Sequence, residues 1–188
     1  MGHRAFGMLR GHIRMTGFPV LDLGIHPEIP EADWRLTLDG LVEKPVTLDW
    51  KAFNALPQVE DVSDFHCVTT WSRFDNDWAG VPFVDLQALA RPLPEAQHVI
   101  FHSYGGYTTN VPLAELQDRE NMLVHTHNGQ PLTAEHGGPL RGLVPQLYFW
   151  KSAKWVRGIE FVAVDRPGFW EVYGYHMHGD SWTEERFG

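Results

Sequence analysis

Thirteen prolines and 18 glycines are scattered from one end of this 188-residue chain to the other. Proline lacks the N–H that helix interiors and sheet ladders need, and glycine favours turns, so this pattern dictates short elements joined by many turns. A helical bundle is excluded. The apolar pattern agrees. "WRLTLDG" alternates Trp34, Leu36 and Leu38 against Arg35, Thr37 and Asp39, the period of a half-buried strand. "PVTLDWKAFNALP" predicts a short strand, then Asp49 as N-cap of a brief helix ended by Pro57. "VSDFHCVTTW" predicts a further strand, and "VPFVDLQALARP" a two-turn helix between Pro82 and Pro92. Hairpins are predicted around Gly105-Gly106 and around Asn128-Gly129, the latter a favoured type I′ turn. "LRGLVPQLYFW" and "KWVRGIEFVAVD" read as later apolar strands. The expectation is a single β-rich α+β domain with mixed strand directions, not a doubly wound parallel sheet.

The net charge of −9 argues against nucleic acid or an anionic membrane as partner. No apolar run approaches the roughly 18 residues of a membrane span. Residues 1–17 carry Arg4, Arg10 and Arg14 with no acid and lack the apolar region of a secretory signal. They read as an N-terminal arm before a domain over 18–188, and the expected location is cytoplasmic.

One cysteine, Cys67, forbids an internal disulfide. It sits in "DFHCVTTWSRFDNDWAG" among polar and aromatic residues, and three readings compete: inert filler, nucleophile, or metal ligand. His66 adjoins it, but neighbouring side chains on a strand point to opposite faces, which weakens a thiol–imidazole hydrolase. A second candidate is "EHGGPLRGLVPQLYFWKSAKW". Here His136, Arg141, Lys151, Ser152 and Lys154 surround a Gly-Gly-Pro path, a set suited to a phosphate or equally to a solvated basic loop. Among 11 histidines, His125/His127 and His176/His178 lie two apart, which permits zinc, although neither pair has a companion ligand at a familiar spacing.

Taken in order, "HCVTTWSRFDNDWAGVPF", "NGQPLTAEHGGPLRGLVP" and "KSAKWV" resemble the molybdopterin domain of the sulfite oxidase family, over about residues 18–165. The resemblance implies a molybdenum–molybdopterin cofactor, one per chain, and an oxidoreductase moving an oxygen atom in a two-electron reaction. It implies Cys67 as the metal's protein ligand and His136 and Arg141 as contacts to the pterin or its phosphate. Ser152, Ala153 and Lys154 would clamp that phosphate, Ser103 would stand at a cofactor-contacting position, and Phe18 and Leu21, in "FPVLDL", would line the pterin. Arg73, His66 and His125 are candidates near the substrate pocket, and His176 and His178 would cap it if the C-terminal tail folds over the site. The substrate is expected to be small and sulfite- or sulfoxide-like, with an unidentified electron-transfer partner. Family members acting on sulfite follow the cysteine with an arginine-rich segment, whereas only Arg73 follows here. Haem-binding and second dimerisation domains are not expected. His136 follows the sulfite oxidase branch, where the reductase branch has asparagine. The other readings are a non-enzymatic module binding a small anion, and a cysteine- or zinc-dependent hydrolase.

Overall fold

The computed structural model describes residues 7–22, 24 and 26–188, so Arg4 and Leu23 lie outside the described residues. The alternating segment forms β2 (Arg35–Gly40), with Leu36 and Leu38 buried. It runs antiparallel to β3 (Val46–Asp49) and parallel to β11 (Val156–Val162). β11 in turn pairs antiparallel with β6 (His98–Ser103), and β6 with β7 (Thr108–Pro112) across the Gly105-Gly106 turn. This gives one five-stranded sheet in the order β3-β2-β11-β6-β7. As predicted, Asp49 caps α1 (Trp50–Asn54), its carboxylate accepting from the Ala52 N–H at 2.7 Å.

The second sheet has six strands. At its centre β5 (Trp71–Pro82) pairs along one edge with β4 (Val59–Cys67). Its other edge takes β1 (Ile13–Arg14) at one end and β8 (Met122–His127) at the other. β8 carries β9 (Gln130–Pro131) beyond the Asn128-Gly129 turn, where both residues have positive φ as a type I′ turn requires, and also β10 (Arg141–Leu143). α2 (Phe83–Ala90) follows β5, and α3 (Phe169–Val172) lies in the C-terminal segment.

This second sheet is buried on both faces. Leu123 of β8 joins the main core with Leu36, Leu38, Phe101, Ile159 and others, while its neighbours Met122 and Val124 pack into a smaller cluster with Phe65, Cys67, Trp71, Trp78 and Leu143. Side-chain alternation along a strand places the two sets on opposite faces. The fold is thus β-rich α+β, with two mixed sheets.

Two expectations need correction. "LRGLVPQLYFW" is a strand only over its first residues; after Leu143 the chain leaves the ladder near Pro145, which has no N–H to give it, and Phe149–Lys151 form a 3-10 turn. β5, the longest strand, was not anticipated. A bulge sets Phe74 and Asp75 against Asp64 alone, with Asp75 at φ 55°, and the alternation that reveals strands fails there. The described part of the arm, 7–17, lies on the domain: β1 adds to the sheet and Leu9 and His12 are buried.

Candidate cofactor site

The smaller cluster is where the chemistry gathers. The register pairs Cys67 with Trp71 and Phe65 with Arg73, so these four side chains share one face of the sheet; His66 and Ser72 share the other. On β10, Arg141 and Leu143 are two apart, and Leu143 lies in the same cluster as Cys67. Cys67 and Arg141, remote in sequence, therefore project from one face.

Cys67 is buried at the end of β4, its Sγ 3.1 Å from Thr69 Oγ1. Burial pushes its thiol up, against smaller opposing effects from Thr69 and Arg186. A thiol so shifted is a poor nucleophile at neutral pH, but a bound metal would deprotonate it. His66 does not activate it: His66 turns to the other face, where its Nδ1 meets Ser72 Oγ at 2.7 Å. Burial lowers its pKa to about 4, so the ring is neutral.

Arg141 is fully buried and has no carboxylate partner among the described residues. Its Nη1 donates to the His136 carbonyl (2.8 Å) and its Nη2 to the Ser152 carbonyl (2.9 Å), and the guanidinium lies 4.2 Å from the Phe149 ring centre. Burial drives its pKa down to about 9, the mark of a cation held without a counter-charge. Lys154 stands nearby. Its Nζ donates to the Glu135 carbonyl (2.6 Å) and the Leu21 carbonyl (3.2 Å), with Asp22 at 3.9 Å. Burial first, and then Arg141, lower it to about 8. Gly137, at φ 100°, makes this packing possible, because a Cβ there would sit 2.9 Å from the Lys154 Cβ.

The remaining expected residues divide. Phe18 packs in a tilted arrangement against His136 at 4.1 Å between ring centres, and its carbonyl bonds His136 Nε2 at 3.0 Å, so its contact is both packing and backbone. Leu21 contributes its carbonyl. Ser152 and Ala153 are buried beside β10: Ser152 Oγ accepts from the Val144 N–H and the Ala153 carbonyl from the Gly142 N–H. Ser103 ends β6 with its hydroxyl buried and unpartnered.

Arg73 bonds Asn76 and approaches His127 Nε2 at 3.1 Å. His125 is placed elsewhere, against Gln58 Oε1 (3.1 Å) and the Trp50 and Phe53 rings. The cause is a bulge: Gly80 pairs with Val124 and Ala79 with Thr126, leaving His125 as the extra residue. The expected shared face of His125 and His127 is lost. His127, named in the sequence only as half of a possible zinc pair, is the one at the site, 5.0 Å from Phe18 and 4.5 Å from Trp78 between ring centres. Lys151 also leaves the expected basic set, since its ammonium is buried against Glu171 at 2.6 Å. His176 and His178 bond Glu185 and Glu115 rather than cap Cys67. Among the described residues no group of three or more His, Cys, Asp or Glu is arranged to hold a metal ion by itself.

The sequence model described as "Oxidoreductase molybdopterin binding domain" matches residues 23–170. The chain belongs to this family. Members of the oxidoreductase molybdopterin-binding family bind molybdopterin, and this chain is such an oxidoreductase. It is 49% identical over 173 residues to the uncharacterized oxidoreductase YuiH of Bacillus subtilis (strain 168), covering 92% of this chain and 87% of that one. It is 29% identical to the protein-methionine-sulfoxide reductase catalytic subunit MsrP of Gluconobacter oxydans, over 77% of this chain but 54% of that one. The sulfane dehydrogenase SoxCD of Paracoccus pantotrophus shares the fold, with TM-score 0.68 and 24% identity over 74% of this chain and 40% of that one. No helix among the described residues is long and apolar enough to cross a membrane.

The residues suit the family's cofactor. A molybdenum centre already rich in sulfur accepts a soft thiolate, and Cys67 supplies one. A pterin phosphate needs cationic donors; buried Arg141, with no carboxylate partner among the described residues, and part-buried Lys154, with Asp22 3.9 Å away, supply them. The unpartnered Ser103 hydroxyl is a further polar group free to bond a ligand.

Proposed function

We propose that this member of the family transfers one oxygen atom between a small sulfite- or sulfoxide-like substrate and water, with Cys67 as the protein ligand to molybdenum. The observation that carries the reading is the pairing, on one sheet face, of a lone buried thiol with a buried guanidinium that has no carboxylate partner among the described residues. Arg141, Lys154 and His136 would hold the pterin and its phosphate, with Ser152 and Ala153 shaping the backbone around Arg141. When bound, the cofactor supplies the two-electron redox chemistry. The protein's share is to bury it, exclude water and present the substrate. Arg73 and His127 lie on the substrate side in this reading. In the reductive direction the overall balance is sulfoxide plus two electrons and two protons giving sulfide and water, the electrons coming from a separate redox protein. Similarity to a methionine sulfoxide reductase supports the sulfoxide alternative.

The test is elemental analysis and pterin fluorescence of protein from molybdate-supplemented cells, together with reduction of methionine sulfoxide by a reduced viologen. Near-stoichiometric molybdenum and pterin in the parent, with turnover lost in Cys67→Ser while pterin is partly retained, is the expected result. Full turnover in Cys67→Ser would remove the ligand assignment.

A further inference from the structure

Cys67 opens a tight turn, and separate parts of the chain pin that turn in place. The Thr70 N–H donates to the Cys67 carbonyl at 3.1 Å, closing Cys67–Thr70 at the end of β4. Thr70 holds φ 68°, a conformation that a β-branched residue adopts only where its surroundings impose it. The N-terminal arm acts on one side: the Ile13 N–H donates to the Thr70 carbonyl at 3.0 Å as β1 joins β5. The C-terminal segment acts on another. Residues 173–188 return as a strap held by an isolated bridge between Leu147 and Asp180 and by His178 bonded to Glu115 and Glu185. From this strap Arg186 Nη1 donates to the carbonyl of Val68, the residue after Cys67.

Ser72 lies behind the turn, fully buried and on the sheet face opposite Cys67. Its Oγ stands 2.8 Å from His12 Nδ1 and 2.7 Å from His66 Nδ1, and Arg186 Nη2 bonds His12 Nε2 at 3.0 Å. One direction of donation satisfies all three contacts. Arginine only donates, so His12 Nε2 accepts. Burial, and then the charge of Arg186, favour the neutral His12 ring, so its single N–H is on Nδ1 and donates to Ser72 Oγ. The Ser72 hydroxyl then gives its own proton to His66 Nδ1. That leaves the His66 N–H on Nε2, on a ring that Trp182 of the strap meets edge to face at 5.6 Å between centres. The chain of donors thus runs from strap to arm, to β5, to β4. The Arg186 charge itself has Glu184 3.9 Å away, so its part here is played through hydrogen bonds.

We propose that Ser72 is a positioning residue for Cys67: linked through His12 to the arm and through Arg186 to the strap, it holds the Cys67–Thr70 turn in the one conformation that presents the thiol to the metal. The proposal rests on reading Cys67 as the metal's ligand. His12, Ser72 and His66 act from the other face of the sheet and touch neither metal nor substrate.

Measurements on the full chain made without molybdate test the clamp apart from the metal. Nitrogen NMR of the imidazoles at neutral pH is expected to find His12 protonated on Nδ1 and His66 on Nε2. The reverse tautomer at either ring would overturn the chain of donors, whether or not any variant folds. Iodoacetamide alkylation of Cys67 is then compared in the parent, Ser72→Ala, His12→Gln, the two combined, and Asp49→Ala, which weakens the fold at the α1 cap on the other sheet. Ser72→Ala is expected to speed alkylation about tenfold, through local opening of the turn, and Asp49→Ala to leave it near the parent rate. Because His12 and Ser72 act as one unit, the combined variant is expected to fall well short of the product of the two single effects. In the molybdenum-loaded enzyme, Ser72→Ala is expected to keep its molybdenum yet lose turnover several-fold. Alkylation of Ser72→Ala no faster than that of Asp49→Ala, or full turnover in loaded Ser72→Ala, would sink the positioning role. Absence of molybdenum from the supplemented parent would instead remove the cofactor reading, while the alkylation rates still judge the clamp on Cys67.

Discussion

Arg141 and Lys154 are cations that the fold has partly stripped of water, and that has consequences at the scale of single residues. Their pKa values are pushed down to about 9 and about 8, first of all by burial. The unfolded chain keeps those protons to higher pH, so without an anion the protein gains stability as pH rises from about 8 toward the unfolded values. A bound phosphate reverses the trend, because it favours the charged forms. Inorganic pyrophosphate is expected to bind cofactor-free protein more weakly as pH is raised from 7 to 10, by about tenfold or more, and calorimetry at several pH values reads this directly. In Arg141→Gln the affinity is expected to be low throughout.

His127 has the same sign on the acid side. Burial, with the charges of Arg73, Arg141 and His136, lowers it from 6.5 to about 4. The stability tied to its neutral form is complete above pH 6.5 and is lost as pH falls through the folded value. Solvent screening of a half-buried ring keeps that contribution below the roughly 3 kcal/mol of a fully buried one. Urea unfolding of cofactor-free protein between pH 7 and pH 4 is expected to show the loss, and His127→Gln is expected to flatten it.

At the scale of elements, what the sequence made legible was whatever follows simple periodicity or local turn chemistry. The alternation in β2, the Asp49 cap, the proline-bounded α2 and the positive-φ pair Asn128-Gly129 are each set by residues within a few positions. Cys67, Arg141 and Lys154 were likewise nameable, through motif order. Two bulges escaped, and both matter to the site: one hides β5 and the other turns His125 away and His127 inward. A bulge is decided by the partner strand, which lies far off in sequence, so no local pattern announces it.

Gly80 sits at the second bulge, where a Cβ would lie 2.0 Å from the Leu123 carbonyl oxygen. That neighbour is backbone and cannot swing aside. Gly80→Ala is therefore expected to part β5 from β8 locally, costing at least about 2 kcal/mol, with His127 displaced as a result. Denaturant melts measure the first effect, and the chemical shifts of the His127 ring the second.

Across the whole molecule, the strap that carries Arg186 is anchored by a buried polar knot rather than by apolar contact alone. Lys151 Nζ bonds the Asn110 carbonyl, the Asn110 side chain and the Met177 carbonyl, and pairs with Glu171 at 2.6 Å. Glu171 also accepts from Thr109 and from the Trp150 indole. The knot ties β7 and the turn at Phe149–Lys151 to α3 and the strap. It also explains why a lysine one residue from Ser152 takes no part in the cofactor site: its three donors are already satisfied on the other side of the turn.

Removing one partner of such a pair strands the other charge in the interior. Lys151→Met is expected to cost about 3–5 kcal/mol and to free the strap, so that protease cuts within 173–188 before the rest of the chain. The double substitution Lys151→Met with Glu171→Leu removes both charges and is expected to recover much of that stability. It would not recover the bonds to Asn110 and Met177. If the knot holds the strap through hydrogen bonds as well as charge, the double variant should regain its melting temperature yet keep faster cleavage of the strap. Cleavage as slow as in the parent would mean that the ion pair alone does the holding.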